Sequence, residues 1–226
     1  MKIQSIAFDL DDTLLDTSGI LAPKACSEAF QILIKAGLKI TESECESIRV
    51  EMIKKTSHKD VFKYLVDQFG SSETYKALEL ATERFYHPKI PNKLPLLDGA
   101  IENIKFLSKK YNLYIVTAGL NEAQQSKVNA LEIRSFFKDV MVVNSLKNER
   151  KFDAFRKILE IEHISADQLL CIGNSLSSEI KDARLIGAWA CYFEFGEDRG
   201  YMSTDEQLKP HYHIKNHKEL ITTCKL

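Results

Sequence analysis

The stretch AFDLDDTLLDT, Ala7 to Thr17, sets four aspartates directly behind a short apolar run. Asp9 and Asp11 stand two residues apart, so both carboxylates can face one ligand while doing different work. Attack of Asp9 on phosphorus would form an aspartyl-phosphate and divide one hard displacement into two easier ones. Asp11 would protonate the leaving oxygen, then take a proton from the water that hydrolyses the intermediate. Two carboxylates repel a phosphate dianion unless cations intervene. Lys151 and a divalent ion would supply that charge, and Mg2+ prefers carboxylate, carbonyl and phosphate oxygens. The Thr117 hydroxyl and the Ala118 N–H would hydrogen-bond phosphoryl oxygens. Asp12 and Asp16 read as supports of the turn. Each residue also has a plainer use: Asp11 or Asp12 as a helix cap, Thr117 as a strand end, Lys151 as a solvated lysine.

These residues converge only if particular elements carry them. Ile3 to Phe8 is a β-prone apolar run that stops at Asp9, as a buried strand would. Further strands are expected at Leu113 to Val116, Val140 to Val143, Leu169 to Ile172 and Trp189 to Phe193, alternating with helices near 101–109, 121–131, 151–160 and 177–186. That alternation predicts a doubly wound, Rossmann-like α/β fold with a parallel sheet covered on both faces. Ligands bind such sheets beyond the carboxyl ends of the strands. The first strand ends in Asp9 to Thr13, the second in Thr117-Ala118-Gly119, and the run at 169–172 in Gly173-Asn174-Ser175. Lys151 opens the helix after the run at 140–143.

Between the first strand and the rest lies a block with helical periodicity almost throughout. Pro23 to Gly37 carries Cys26, Ala29, Phe30, Leu33 and Ile34 on one stripe. Thr41 with Glu44 forms a capping-box pattern ahead of Cys45, Ile48 and Met52. Phe62, Leu65, Val66 and Phe69 mark a third helix and Tyr75, Leu78, Ala81 and Phe85 a fourth. The expected organisation is therefore a catalytic core of 1–16 and 93–226 with an all-helical insert of 17–92.

With 31 basic and 32 acidic residues, the chain offers no net field to attract nucleic acid or an anionic membrane. The N-terminus does not read as a secretory leader, and no run of eighteen apolar residues occurs. A cytoplasmic protein, monomer or homodimer, is expected, with no nucleic-acid or membrane partner. The five cysteines never form CxxC and read as small buried hydrophobes.

The pattern as a whole resembles the haloacid dehalogenase (HAD) superfamily of phosphohydrolases, over nearly the whole chain. FDLDDTLLDT is similar to its first motif, DxDxT after an apolar strand, and LYIVTAG to its second. Lys151 in NERKFDAFRKIL resembles the third-motif lysine, with Lys147 as the competing candidate. CIGNSLSSEI resembles the fourth motif, GD followed by a second acid. The resemblance implies a Mg2+-dependent phosphatase acting on a small phosphorylated metabolite, with Asp9 as nucleophile and Asp11 as acid/base. Thr117, Ala118 and Lys151 would bind phosphate. Asp9, the Asp11 carbonyl and Asn174 would hold the metal, with Thr13 and Glu179 in support. The helical insert matches the position of the family's cap, where Lys24, Arg49, Lys54, Lys55 and Arg84 could meet an anionic substrate. Asn174 and Glu179 replace the usual aspartates of the fourth motif. An amide oxygen ligates Mg2+ without contributing charge, so weaker metal affinity is expected. Those departures also motivate an alternative, a binding or regulatory protein of this fold with little turnover. Dehalogenases of the superfamily lack the second aspartate of the first motif, which argues against that reaction here.

Overall fold

The computed structural model describes residues 3–144, 147, 149–197 and 200–226. Six parallel strands form one sheet: β1 (Ser5–Phe8), β2 (Asn112–Ala118), β3 (Asp139–Val143), β4 (Leu169–Gly173), β5 (Trp189–Phe193) and β6 (Tyr212–Ile214), in the order β3-β2-β1-β4-β5-β6. The chain builds outward from β1 to β3, then returns to the other side of β1 with β4. That reversal opens a crevice at the carboxyl ends of β1, β2 and β4, where an open parallel sheet receives its ligand.

All four residues of β1 are buried, as expected of a strand covered on both faces. Ala7, Tyr114, Val116, Cys171 and Ala190 point to one face, where Ala154, Phe155 and Ile158 of α8 (Lys151–Glu162) and Ala183 of α9 (Lys181–Leu185) complete a core cluster. The alternate residues, among them Ile6, Phe8 and Ile115, are equally buried on the opposite side.

The chain divides into two compact units, one of residues 1–16 and 90–226, the other of residues 17–89. The second is entirely helical: α1 (Thr17–Ile20), α2 (Ala22–Lys35), α3 (Glu42–Ile53), α4 (His58–Phe69) and α5 (Ser72–Tyr86). It has its own core, in which Phe62 meets Phe30 and Phe85 edge-on at centroid distances of 5.9 and 5.5 Å. The expected capping box at Thr41 and Glu44 starts α3, and a second, Ser57 with Asp60, starts α4. Two local expectations are corrected. In α3 the fully buried stripe is Cys45, Arg49 and Ile53, with Ile48 and Met52 packed at its margin. Arg49 tolerates burial because Glu46 pairs with it in two-pronged fashion, at 2.6 and 2.8 Å. Tyr75 is 49% exposed rather than packed, because its hydroxyl donates to the surface carboxylate of Asp67.

In the α/β unit, α6 (Ala100–Leu107) precedes β2 and α7 (Asn121–Ala130) follows it, while α10 (Leu220–Cys224) closes the chain. No described helix is long and apolar enough to cross a membrane. All five cysteines are buried and unbridged.

The turn after β1 is anchored from the far end of the chain. His217, 1% exposed, donates through Nε2 to the Thr13 carbonyl at 2.7 Å, and its neighbour Asn103 donates to the His217 carbonyl at 2.6 Å. Burial holds the imidazole below its ordinary pKa, against smaller opposing effects of the Thr13 carbonyl and Asp98. The folded form therefore resists a proton that the unfolded chain accepts. The stabilisation is complete above the unfolded value of about 6.5 and is lost as pH falls below it. The stability difference between wild type and His217→Gln, measured by chemical denaturation, should shrink as pH falls from about 7.5 to about 5.5.

Candidate active site

Asp9 prolongs the ladder by one residue, its N–H donating to the Ile172 carbonyl at 2.8 Å, and so the side chain leaves the sheet at a fixed point. The chain then turns sharply. Asp12 adopts a left-handed φ of 54° and donates its N–H to Leu15 at 2.7 Å, while Leu14 and Leu15 return to the Leu10 carbonyl. Asp12 thus builds the turn. The Thr13 hydroxyl is buried without a hydrogen-bond partner among the described residues, and Thr13 is engaged through its carbonyl.

Lys151, the first residue of α8, is 3% exposed and reaches back under the sheet edge. Its Nζ lies 2.7 Å from Asp9 Oδ1 and 2.9 Å from Glu179 Oε2. A cation at a helix N-terminus faces the positive end of the helix dipole, so it needs these two carboxylates. Burial opposes the ammonium charge, but Asp9 and Glu179 outweigh it and hold Lys151 above its ordinary pKa. Burial likewise dominates at Asp9, whose carboxyl is raised to about 7 although Lys151 pulls it down. Lys147, the competing candidate, is exposed.

Glu179 arrives by an unusual turn. The expected helix over 177–186 begins instead as one π turn, Leu176–Ile180, in which Ile180 donates to the Ser175 carbonyl at 3.2 Å before α9 continues. The wide turn folds the Glu179 carboxylate back so that Oε1 accepts from the Ser175 N–H at 2.6 Å while Oε2 holds Lys151. This needs a glycine at the end of β4. A Cβ on Gly173 would lie 2.3 Å from Glu179 Cγ and 2.5 Å from Oε1.

A second cluster forms around Asp11. Oδ1 accepts from Lys127 Nζ at 2.7 Å and Oδ2 from Gln124 Nε2 at 2.8 Å. The same Gln124 nitrogen lies 2.6 Å from Thr117 Oγ1 and 3.0 Å from the Ala118 carbonyl. Thr117 is fully buried, while Ala118 stands exposed at the end of β2. Asn174, 5% exposed, donates through Nδ2 to the Phe195 carbonyl at 3.2 Å. A carbonyl only accepts, so this contact assigns the amide nitrogen and leaves Oδ1 as the acceptor end.

Of the residues anticipated from sequence, Asp9, Lys151 and Glu179 form one group at this edge and Asp11, Thr117 and Ala118 another; Asn174 and Thr13 bond instead to Phe195 and His217, and Lys24, Arg49, Lys54, Lys55 and Arg84 belong to the helical unit. Gln124 and Lys127 are additions. Their signal was faint, a glutamine and a lysine three residues apart beside the buried Val128 on the helix after Thr117. Asp182 is another addition. It accepts from the Phe152 N–H at 3.0 Å and pairs with Arg150, and so fixes the first turn of α8 that carries Lys151.

The sequence family described as haloacid dehalogenase-like hydrolase matches residues 6–191. The chain belongs to this family. The glyceraldehyde 3-phosphate phosphatase of Pyrococcus abyssi is 28% identical over 86% of this chain and 83% of its own. The N-acylneuraminate-9-phosphatase of Mus musculus is 21% identical over 97% and 92%. Among solved structures, YfnB of Bacillus subtilis, bound to magnesium, covers 98% of both chains with a TM-score of 0.66 at 23% identity. A protein described as a predicted phosphoglycolate phosphatase from Haemophilus somnus also covers 98% of both, with a TM-score of 0.73 at 17% identity. These likenesses between structures concern the fold.

Replacing Gly173 with alanine should displace Glu179 and free Lys151. Thermal unfolding of Gly173→Ala should report a loss of about 1–3 kcal/mol, the usual cost of overpacking.

Proposed function

We propose that this HAD-family hydrolase is a Mg2+-dependent phosphatase that cleaves a small-molecule phosphomonoester through an aspartyl-phosphate on Asp9. The observation that carries the reading is the buried Asp9–Lys151–Glu179 triad at the sheet's carboxyl edge, with Asp11 held beside it. Relatives over most of the chain are phosphatases, of glyceraldehyde 3-phosphate and of an acylneuraminate 9-phosphate, which supports the same class. In this reading the helical unit serves as the cap and carries substrate selection.

Asp9 attacks phosphorus, and Lys151 draws the phosphoryl group toward it and offsets its charge. Asp11 donates a proton to the departing oxygen and recovers one from the hydrolytic water. The Thr117 hydroxyl and Ala118 N–H orient phosphoryl oxygens. Counting charges, three carboxylates (Asp9, Asp11 and Glu179) meet two ammonium groups (Lys151 and Lys127), before the dianionic substrate enters. That balance calls for a further cation. Asp9, the Asp11 carbonyl and the Asn174 Oδ1 end, all oxygen donors, fit Mg2+. Asn174 would bring its oxygen without charge, and so would weaken the site relative to a carboxylate there. When bound, Mg2+ would neutralise the phosphate and polarise it for attack.

Phosphate release should be measured on an aryl phosphate and a panel including glyceraldehyde 3-phosphate, phosphoglycolate and N-acylneuraminate 9-phosphate, with Mg2+ titrated. Turnover that requires Mg2+ and disappears in Asp9→Asn is expected. Asn174→Asp should lower the half-maximal Mg2+ about tenfold, since it adds a charge at the metal. Equal release by wild type and Asp9→Asn would leave a binding protein as the better account.

A further inference from the structure

We infer that Gln124 and Lys127 form a clamp on α7 that sets the orientation of the Asp11 carboxylate, and that they are positioning residues for its proton transfers. This inference rests on the phosphatase reading above. Asp11 follows β1 on a turn, and its side chain is 28% exposed. The fixing comes from α7. Gln124 and Lys127 are three residues apart and share one helix face; they are 2% and 7% exposed. Each takes a different carboxylate oxygen, Lys127 Oδ1 and Gln124 Oδ2. Two donors on two oxygens define the plane of a carboxylate, which a single contact does not.

The clamp also joins the two halves of the site. The Gln124 amide has two hydrogens and three oxygens within 3.0 Å, belonging to Asp11, Thr117 and Ala118. One buried amide thereby relates the proton-transfer group on the β1 turn to the phosphate-binding end of β2. A lysine and a glutamine on the buried side of a helix are expensive to desolvate, and a merely structural helix would carry apolar residues there. A carboxyl held in one plane can give a proton to the departing oxygen and later take another from the hydrolytic water at the same place.

The test is a double-mutant cycle on kcat/KM. An alkyl phosphomonoester and an aryl phosphate with a good leaving group would be compared in wild type, Asp11→Asn, Lys127→Met and the double variant. General-acid help matters for the alkyl ester and little for the aryl one. Asp11→Asn should cost about 10²–10⁴-fold on the alkyl ester. Lys127→Met should cost about 10–100-fold there and raise the aryl-to-alkyl ratio at least about tenfold, and the double variant should be no worse than Asp11→Asn. Lys127→Arg should restore the ratio. Gln124→Met, of similar volume, should move the ratio in the same direction and stands in if the double variant does not fold. Multiplying losses in the double variant, or an unchanged ratio in both single variants, would overturn the clamp while leaving the phosphatase reading intact. Asp9-independent release in wild type would overturn that reading, and the clamp with it.

Discussion

A lysine ammonium withdrawn from water is the constraint around which the site is organised. Lys151 is held between Asp9 and Glu179 with all three side chains nearly inaccessible. Removing one partner of such a group strands a buried charge, typically at about 3–5 kcal/mol. The local oddities of the chain follow from meeting that requirement. Gly173 has no side chain because Glu179 occupies the space. The π turn carries the Glu179 carboxylate back to the Ser175 N–H and to Lys151. Asp182 accepts from the Phe152 N–H in the first turn of α8, at the end where the helix dipole disfavours the cation it presents.

In the proposed reading, the same arrangement gives nucleophile and proton-transfer group different surroundings within three residues of chain. Asp9 extends a buried strand and shares its cation with Glu179. Asp11 leaves the strand onto a partly exposed turn and takes its partners from α7. In that reading one carboxylate faces phosphorus beside a fixed ammonium, and the other stands where it can exchange a proton with a solvent-side oxygen. The strand order supplies the rest: β1 lies between β2 and β4, so Thr117 and Gly173 flank Asp9 without a long loop to place them.

Much of this was legible in the sequence because its cause is local. Buried strands announced themselves as apolar runs ending in Asp9, Thr117 and Gly173, and the helical block by its periodicity and the Thr41 cap. The position of Lys151 at the head of an apolar-periodic helix distinguished it from Lys147. What stayed hidden depended on tertiary direction. Gln124 and Lys127 have the composition of a solvated helix face, and only the packing of α7 turns them inward. Arg49 reads in sequence as a charge available to a substrate, whereas in the fold it is buried and paired with Glu46. Tyr75 looked apolar by spacing, yet its hydroxyl found Asp67 at the surface. The π turn follows from Glu179 reaching two partners at once, which no spacing rule records.

The central claim is that Asp9 becomes covalently phosphorylated. It is tested most directly by quenching the enzyme in acid during turnover of its best substrate and mapping the peptides by mass spectrometry. A phosphoryl group on Asp9 itself, in the peptide that carries AFDLDDTLLDT, is the predicted result. Sustained phosphate release with that peptide always unmodified, even when the quench is faster than one turnover, would mean that water attacks phosphorus directly and would contradict the account.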